Sequence, residues 1–206
     1  MTKIKMCGLF REEDIEAANL IKPEYIGFVF FKKSHRYVDK EKALFLKSKL
    51  NNDIKAVGVF VDEDISFVKE LVEEKIIDVV QLHGKEDYSY IEKLREEISS
   101  NTPIIKAVII KSDEDVNEFK ENFSTKYSAD YYLLDSGMGG GTSLNWDLLK
   151  GLDIRFFLAG GLNPENVKKA IDQVKPYAVD VSSGIETDRV KDINKMRVFA
   201  SIVRNK

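Results

Sequence analysis

The segment KAVGVFVDEDISFVKELVEEKIIDVVQL, which spans residues 55–82, contains one complete strand–helix–strand unit. Both of its ends are continuous apolar runs, as expected for parallel strands that other elements cover on both faces. Between them Ile65, Val68 and Leu71 recur at helical spacing, after an Asp64 that is well suited to a helix N-cap. The segment therefore predicts a βαβ unit.

The same alternation continues along the whole chain. Apolar runs predict eight strands, at residues 3–6, 25–31, 55–61, 77–82, 104–110, 131–134, 155–158 and 178–181. Stripes at helical spacing predict helices that include Ile65, Tyr88, Val116, Val167 and Ile193. The helix with the Val167 stripe is expected to begin with Asn163 as its N-cap and Pro164 in its first turn.

Eight strand–helix units in 206 residues favour one fold class. We predict an α/β protein, a single-domain (β/α)₈ TIM barrel of eight parallel strands over residues 1–206. The alternative, a flavodoxin-like open sheet, needs only about five units. The sixth unit is the weakest, because Gly139-Gly140-Gly141-Thr142-Ser143 stands where a helix should begin.

Composition limits the partners of the chain. A net charge of -3 argues against a nucleic-acid binder, which would carry a basic face. The single cysteine, Cys7, cannot form an intramolecular disulfide, which suits a reducing cytoplasm. The N-terminus lacks the pattern of a signal peptide, and the longest apolar run, residues 25–31, is too short to span a bilayer. We expect a cytoplasmic protein without a membrane partner.

Active sites of (β/α)₈ barrels lie at the C-terminal ends of the strands. Polar, small and reactive residues occupy those positions: Cys7, Arg36, His83, Asp135, Gly160-Gly161 and Ser182-Ser183-Gly184, with Gln81 and Asp180 just inside. Their positions predict that they gather at one end of the barrel.

The loops after the seventh and eighth strands indicate a phosphate site. Gly160-Gly161 and Ser182-Ser183-Gly184 stand where such barrels often bind phosphate through backbone N–H groups. Glycine in ordinary turns would explain either loop alone. Both loops together, in the expected register, favour phosphate.

Cys7 and Asp135 are candidates for acid–base chemistry. A thiol has an ordinary pKa near ~8.5, so a modest downward shift makes it a usable base, although a lone cysteine can also be a small core residue. Lys5 shares a face with Cys7 only if the strand is regular. Asp135 is either a turn residue or a general acid whose pKa burial raises.

Two further rim residues are candidates for substrate contacts. Arg36 can clamp a carboxylate through two parallel hydrogen bonds, whereas the adjacent Lys32 and Lys33 read as solvated cations. His83 reads as a polar residue lining the pocket. It is a poor metal ligand, because the chain has only two histidines and no ligand-spaced set, so we expect no metal site.

Taken in order, these motifs resemble a known family over essentially the whole chain: residues 5–9, 27–36, 57–61, 79–84, 133–135, 158–167 and 179–186. The chain looks like a member of the phosphoribosylanthranilate isomerase family of tryptophan biosynthesis. The resemblance implies an intramolecular oxidoreductase that performs an Amadori rearrangement of N-(5-phosphoribosyl)anthranilate without a cofactor.

The resemblance also implies roles for individual residues. Cys7 matches the general base and Asp135 the general acid. Arg36 matches the group that holds the anthranilate carboxylate, while His83 and Asp180 match residues near the substrate. The phosphate positions are Gly160, Gly161, Ser182, Ser183 and Gly184.

The sequence departs from the family in two loops near the site. His35 stands where the family usually has proline, which should loosen the loop that presents Arg36. Residues 139–143 differ from the usual Gly-Gly-Thr-Gly pattern. The expected partner is a small phosphorylated substrate, and the chain is expected to be a monomer or a homodimer. The alternatives are a sugar-phosphate epimerase and a non-catalytic sugar-phosphate binder, which would need Gly160 and Ser183 but not Cys7.

Overall fold

The computed structural model describes residues 1–126, 128–135, 146–152 and 154–205. Eight parallel strands close into a barrel in chain order, which confirms the predicted fold class. The strands are β1 (Lys3–Cys7), β2 (Tyr25–Val29), β3 (Lys55–Phe60), β4 (Val79–Leu82), β5 (Ile104–Ile109), β6 (Tyr131–Asp135), β7 (Phe156–Ala159) and β8 (Ala178–Val181).

Helices surround the barrel. The described helices are α1 (Glu12–Ile21), α2 (Lys40–Ser48), α3 (Ile65–Glu73), α4 (Tyr88–Glu97), α5 (Asp113–Lys126), α6 (Val167–Val174) and α7 (Ile193–Arg204). The last five fall on the predicted stripes, whereas α1 and α2 were not predicted. None of the described helices is both long enough and apolar enough to cross a membrane.

Several strands end earlier than predicted. Strand β2 ends at Val29 and β3 at Phe60, because the apolar residues that follow leave the sheet. Phe31 and Val61 instead line the cleft above the barrel. Strand β7 is shifted by one residue and runs from Phe156 to Ala159.

The predicted start of α6 is wrong. The helix begins at Val167 with Asn166 as its N-cap. Asn163 instead closes a turn, in which its Oδ1 accepts hydrogen bonds from the backbone N–H groups of Glu165 and Asn166 at 3.0 Å each. Asn166 Oδ1 accepts in return from the Asn163 N–H at 2.9 Å. Each of the two side chains thus accepts a hydrogen bond from the other residue's backbone N–H group. These bonds close the turn before the helix starts.

The sixth unit carries only a short 3₁₀ turn, Trp146–Leu149, in its described part. The loop of residues 139–143 lies outside the described residues. A short hairpin of β9 (Glu186–Thr187) and β10 (Val190–Lys191) follows β8 and precedes α7.

Each strand sends alternate side chains to the barrel interior and to the helices. On β1, Ile4 and Met6 belong to the apolar layer beneath the helices. Lys5 and Cys7 therefore share the inward face. By the same alternation Gln81 and Asp180 point inward, since their strand neighbours belong to the outer layer. Ionisable groups from distant strands thus meet at one end of the barrel.

Candidate active site

The C-terminal end of the barrel opens into a cleft of about 400 Å³. Nine of the ten predicted site residues line it: Cys7, Arg36, His83, Asp135, Gly160, Gly161, Asp180, Ser182 and Ser183. The tenth, Gly184, is not among the lining residues; it follows Ser183 in the 3₁₀ turn Ser183–Ile185. The structure thus brings together residues from six of the eight strand ends.

Cys7 ends β1 with its thiol in the floor of the cleft, where the residue is 9% exposed. Its neighbour across the sheet is Gly27 of β2. A Cβ at Gly27 would lie 2.7 Å from the Cys7 sulfur, so this position must be glycine for the thiol to occupy its place. The Ser182 hydroxyl donates to the Cys7 carbonyl at 3.0 Å and ties β1 to the loop after β8.

Burial is the largest influence on the Cys7 thiol and raises its pKa above the ordinary value. The Lys5 ammonium opposes this effect. The direction is opposite to the modest downward shift that would by itself make the thiol a usable base. Lys5 does share the inward face of β1, and its Nζ lies 2.9 Å from Asp180 Oδ1. Lys5 is fully buried.

Asp135 ends β6, and its partner is His83 after β4. Asp135 Oδ2 lies 3.5 Å from His83 Nε2. The other ring nitrogen, Nδ1, lies 3.0 Å from the Gln81 side-chain Nε2. Gln81 is buried, and its Oε1 has no hydrogen-bond partner among the described residues. The Gln81 amide thus orients the imidazole toward the carboxyl group, a role that sequence reasoning did not assign.

Arg36 enters the cleft but does not have a free guanidinium. Its Nε and Nη2 donate to the two carboxylate oxygens of Glu186 at 2.7 and 2.8 Å. Lys191 Nζ also donates to Glu186, at 2.5 Å. Burial by itself raises the Glu186 pKa, but the two cations lower it to about 2. Sequence reasoning missed Glu186 and Lys191, since β8 and the hairpin bring them to Arg36 from 150 and more residues away.

Two local features hold Arg36 in this position. Gly8 has a φ of +76°, and a Cβ there would lie 2.3 Å from Arg36 Cδ, so the side chain passes directly over the glycine. The turn that contains His35 is closed by the Ser34 hydroxyl, which accepts from the Arg36 N–H at 3.1 Å, and by Tyr37 N–H donating to the Ser34 carbonyl. These bonds order the turn that was expected to be loose without proline.

The loops after β7 and β8 are packed against each other. Gly160 and Gly161 adopt φ values of +92° and +63°, a region that favours glycine. The Gly161 carbonyl accepts from Asn166 Nδ2 at 2.9 Å. A Cβ at Gly184 would lie 1.9 Å from the Leu162 carbonyl oxygen, so the second loop cannot carry a side chain at this position. Backbone groups of both loops therefore reach the same side of the cleft.

Within the described residues there is no group of three or more His, Cys, Asp or Glu side chains that could hold a metal ion. The fold and the cleft together define a (β/α)₈-barrel enzyme whose ionisable groups gather at the C-terminal ends of the strands. Residues 4–201 match the family model for N-(5'-phosphoribosyl)anthranilate (PRA) isomerase, and the chain belongs to this family.

Individual relatives agree with this assignment. The chain is 45% identical to the N-(5'-phosphoribosyl)anthranilate isomerase of Thermoanaerobacter sp. (strain X514), over 99% of this chain and 98% of the relative. The crystal structure of the enzyme from Thermotoga maritima superposes with a TM-score of 0.88 at 32% identity, covering 99% of each chain. Another Thermotoga maritima structure is of monomers generated from the dimeric enzyme.

A further solved structure is of a phosphoribosylanthranilate isomerase in complex with reduced 1-(o-carboxyphenylamino)-1-deoxyribulose 5-phosphate. It has a TM-score of 0.84 and 32% identity, again over 99% of each chain.

Proposed function

We propose that the cleft converts N-(5-phosphoribosyl)anthranilate to 1-(2-carboxyphenylamino)-1-deoxyribulose 5-phosphate, an Amadori rearrangement in tryptophan biosynthesis. The observation that carries this proposal is the meeting of Cys7 and Asp135, from β1 and β6, in one cleft beside two glycine loops. The reaction needs one proton donor, one proton acceptor and an anchor for the phosphate. This cleft supplies a candidate for each.

Asp135 acts as the general acid. Its protonated carboxyl group donates to the furanose ring oxygen, and the C1–O bond breaks as the nitrogen lone pair forms a protonated Schiff base at C1. His83, whose Nε2 lies 3.5 Å from Asp135 Oδ2, stabilises the carboxylate that remains. A positioned acid of this kind typically accelerates a reaction by ~10²–10⁴-fold.

Cys7 acts as the general base. Its thiolate takes the proton from C2, and the C–H electron pair forms a C1–C2 double bond while the nitrogen regains its lone pair. The enolamine then tautomerises: C1 gains a proton and the 2-hydroxyl loses one, which leaves the ketone product. The Schiff base is the electron sink, so the chemistry requires only two groups whose pKa values differ.

The other lining residues bind the two ends of the substrate. The N–H groups of Gly160, Gly161 and the Ser182-Ser183-Gly184 loop receive the phosphate, because glycine lets backbone approach the oxygens closely. Arg36 receives the anthranilate carboxylate. Since Glu186 occupies the Nε–Nη2 edge, the substrate carboxylate pairs with Nη1, which has no acceptor among the described residues. Asp180 lines the cleft beside the substrate.

The test is a direct assay with purified protein. Phosphoribosylanthranilate is fluorescent, and its fluorescence should disappear in the presence of the protein without any added metal or cofactor. A protein that binds the substrate without consuming it would be the sugar-phosphate binder instead. Consumption of an unsubstituted pentulose phosphate would identify the epimerase.

We also propose that the whole chain is one catalytic domain that works in the cytoplasm as a monomer or homodimer. The (β/α)₈ closure, in which β1 pairs with β8, supports the single domain, because removing either end opens the barrel. Light scattering of the purified protein measures its mass and separates monomer from dimer.

A further inference from the structure

We infer that Lys5 is a positioning residue that makes the Cys7 thiolate accessible at working pH, and that Asp180 holds Lys5 in place for this role. The inference rests on the proposed function, in which Cys7 must lose its proton before it can accept one from the substrate. Neither the family resemblance nor the cleft lining singled out Lys5, since its side chain lies below the cleft floor.

The location of Lys5 requires an explanation. Its side chain is completely buried in the barrel interior, where an ammonium group is costly unless it is paired. A packed barrel normally fills such a position with an apolar residue, as β3 does with Val57 and β6 with Leu133. A buried ion pair contributes little to stability compared with apolar packing, so stability alone does not explain why a lysine occupies this inward position.

The position of Lys5 relative to Cys7 and Asp180 indicates what its role is. Lys5 and Cys7 are two residues apart on the regular strand β1 and share its inward face. Asp180 lies directly opposite Lys5 on β8, and its Oδ1 accepts from Lys5 Nζ at 2.9 Å. This bond fixes the ammonium at the end of the barrel interior, beneath the thiol. A cation at this place favours the charged form of the sulfur.

The titration behaviour of both groups supports the geometry. Burial lowers the Lys5 pKa, but Asp180 and then Cys7 more than offset it, so the pKa of Lys5 is raised and the group stays charged. For Cys7, burial raises the pKa, and Lys5 is the largest influence in the opposite direction.

Other charged groups act on the same thiol. Asp180, on β8, raises the pKa of the Cys7 thiol, and Lys191, on β10, lowers it. The charge of Arg36, in the turn after β2, also interacts with that of the thiol. Glu186 forms ion pairs with both Arg36 and Lys191, which offsets their charge. Lys5 is therefore the cation whose removal should change the thiol most.

The test uses the fact that Cys7 is the only cysteine in the chain. The rate of alkylation by iodoacetamide, followed by mass spectrometry across pH in the absence of substrate, reports the thiolate fraction of Cys7 alone. In Lys5→Met we expect the profile to move to higher pH, with alkylation at neutral pH slowed by roughly tenfold. The pH at which kcat/KM rises should move in the same direction.

Lys106→Met is the matched control. Lys106 is also a buried strand lysine in an ion pair, with Glu86 Oε2 at 2.7 Å, but it lies on the outer face of β5. Its removal should leave the alkylation profile of Cys7 unchanged. If Lys5→Met does not fold because Asp180 is left unpaired, Lys5→Met/Asp180→Asn removes both charges. Because Asp180 by itself raises the pKa of the thiol, the alkylation profile of this double variant is compared with that of Asp180→Asn.

The outcomes separate this inference from the proposed function. An alkylation profile of Lys5→Met that coincides with the parent profile, or one of the double variant that coincides with the Asp180→Asn profile, overturns the role of Lys5, whatever Cys7 does in catalysis. A shifted profile together with full activity of Cys7→Ala supports the Lys5–Cys7 coupling and overturns Cys7 as the base.

Discussion

Glu186 binds Arg36 through two parallel hydrogen bonds, from Nε to Oε1 at 2.7 Å and from Nη2 to Oε2 at 2.8 Å. Such a pair fixes the plane of the guanidinium as well as its position. Arg36 is therefore oriented before any substrate arrives, with Nη1 as the donor that remains for a second carboxylate. The conformational entropy of this side chain is therefore lost when the protein folds and not when the substrate binds.

Replacing Arg36 should weaken substrate binding more than it slows the chemical step. A hydrogen bond to a charged group typically contributes about 1.5–3 kcal/mol, which corresponds to a rise in KM of roughly 10–100-fold for Arg36→Ala. Steady-state kinetics measure this change. The controls are Lys32→Ala and Lys33→Ala, two exposed cations of the same loop, which should leave KM near the parent value. An unchanged KM in Arg36→Ala contradicts the carboxylate clamp.

The contribution of Glu186 to stability should disappear in acid. Its pKa of about 2 lies below the ordinary value of 4.5, so its ion pairs stabilise the folded chain above pH 4.5 and are lost as the pH falls toward 2. Urea unfolding of the parent and Glu186→Gln should therefore give a constant difference in free energy above about pH 5 that shrinks below it.

Glu16→Gln serves as its control, since Glu16 is exposed and has no ion pair among the described residues. Its unfolding free energy should differ little from that of the parent at every pH. A Glu186→Gln difference that does not change with pH would contradict the ion-pair account.

Gly27→Ala should destabilise the protein through Cys7. The added methyl group would lie 2.7 Å from the sulfur, and overpacking of this kind typically costs about 1–3 kcal/mol. The cost should be smaller in the Cys7→Ala background, where the sulfur is gone. Unfolding free energies of the four variants form a double-mutant cycle, and additive effects would show that the methyl group does not meet the thiol.

Two glycines of the proposed phosphate loops should respond differently to alanine. Gly184→Ala places a Cβ 1.9 Å from the Leu162 carbonyl and must separate the loops, whereas a Cβ at Gly161 meets nothing within 4 Å. Gly161→Ala therefore costs only the strain of its positive φ, about 1–2 kcal/mol. We expect the greater loss of Tm and the greater rise in KM in Gly184→Ala. Equal effects would mean that the two loops do not depend on this contact.

The eight strands could be predicted because a strand covered on both faces is a continuous apolar run. Helices α1 and α2 could not, since their buried faces are weakly marked. The buried residues of α2 are Ala43 and Leu46, while the adjacent Leu44 and Phe45 are exposed and obscure the helical period. Small alanines make up part of the buried face of α1 in the same way.

The candidate site was predictable to the extent that a residue follows its strand directly. Cys7, His83 and Asp135 were found in this way. The ion pairs were not, because Lys5 and Asp180 are 175 residues apart and meet only when β1 closes against β8. The sequence analysis considered Lys5 only as a possible neighbour of Cys7. One signal in the sequence could have pointed to its ion pair: a lysine at the inward position of a strand whose interior should be apolar.

The most direct test of the account is turnover measured beside binding for Cys7→Ala and Asp135→Asn. Loss of phosphoribosylanthranilate fluorescence gives turnover, and titration with the reduced product analogue gives affinity. We expect each variant to lose at least about 10²-fold in kcat while the affinity for the analogue changes less than about tenfold. Turnover at the parent rate in either variant would contradict an acid and a base acting across this cleft.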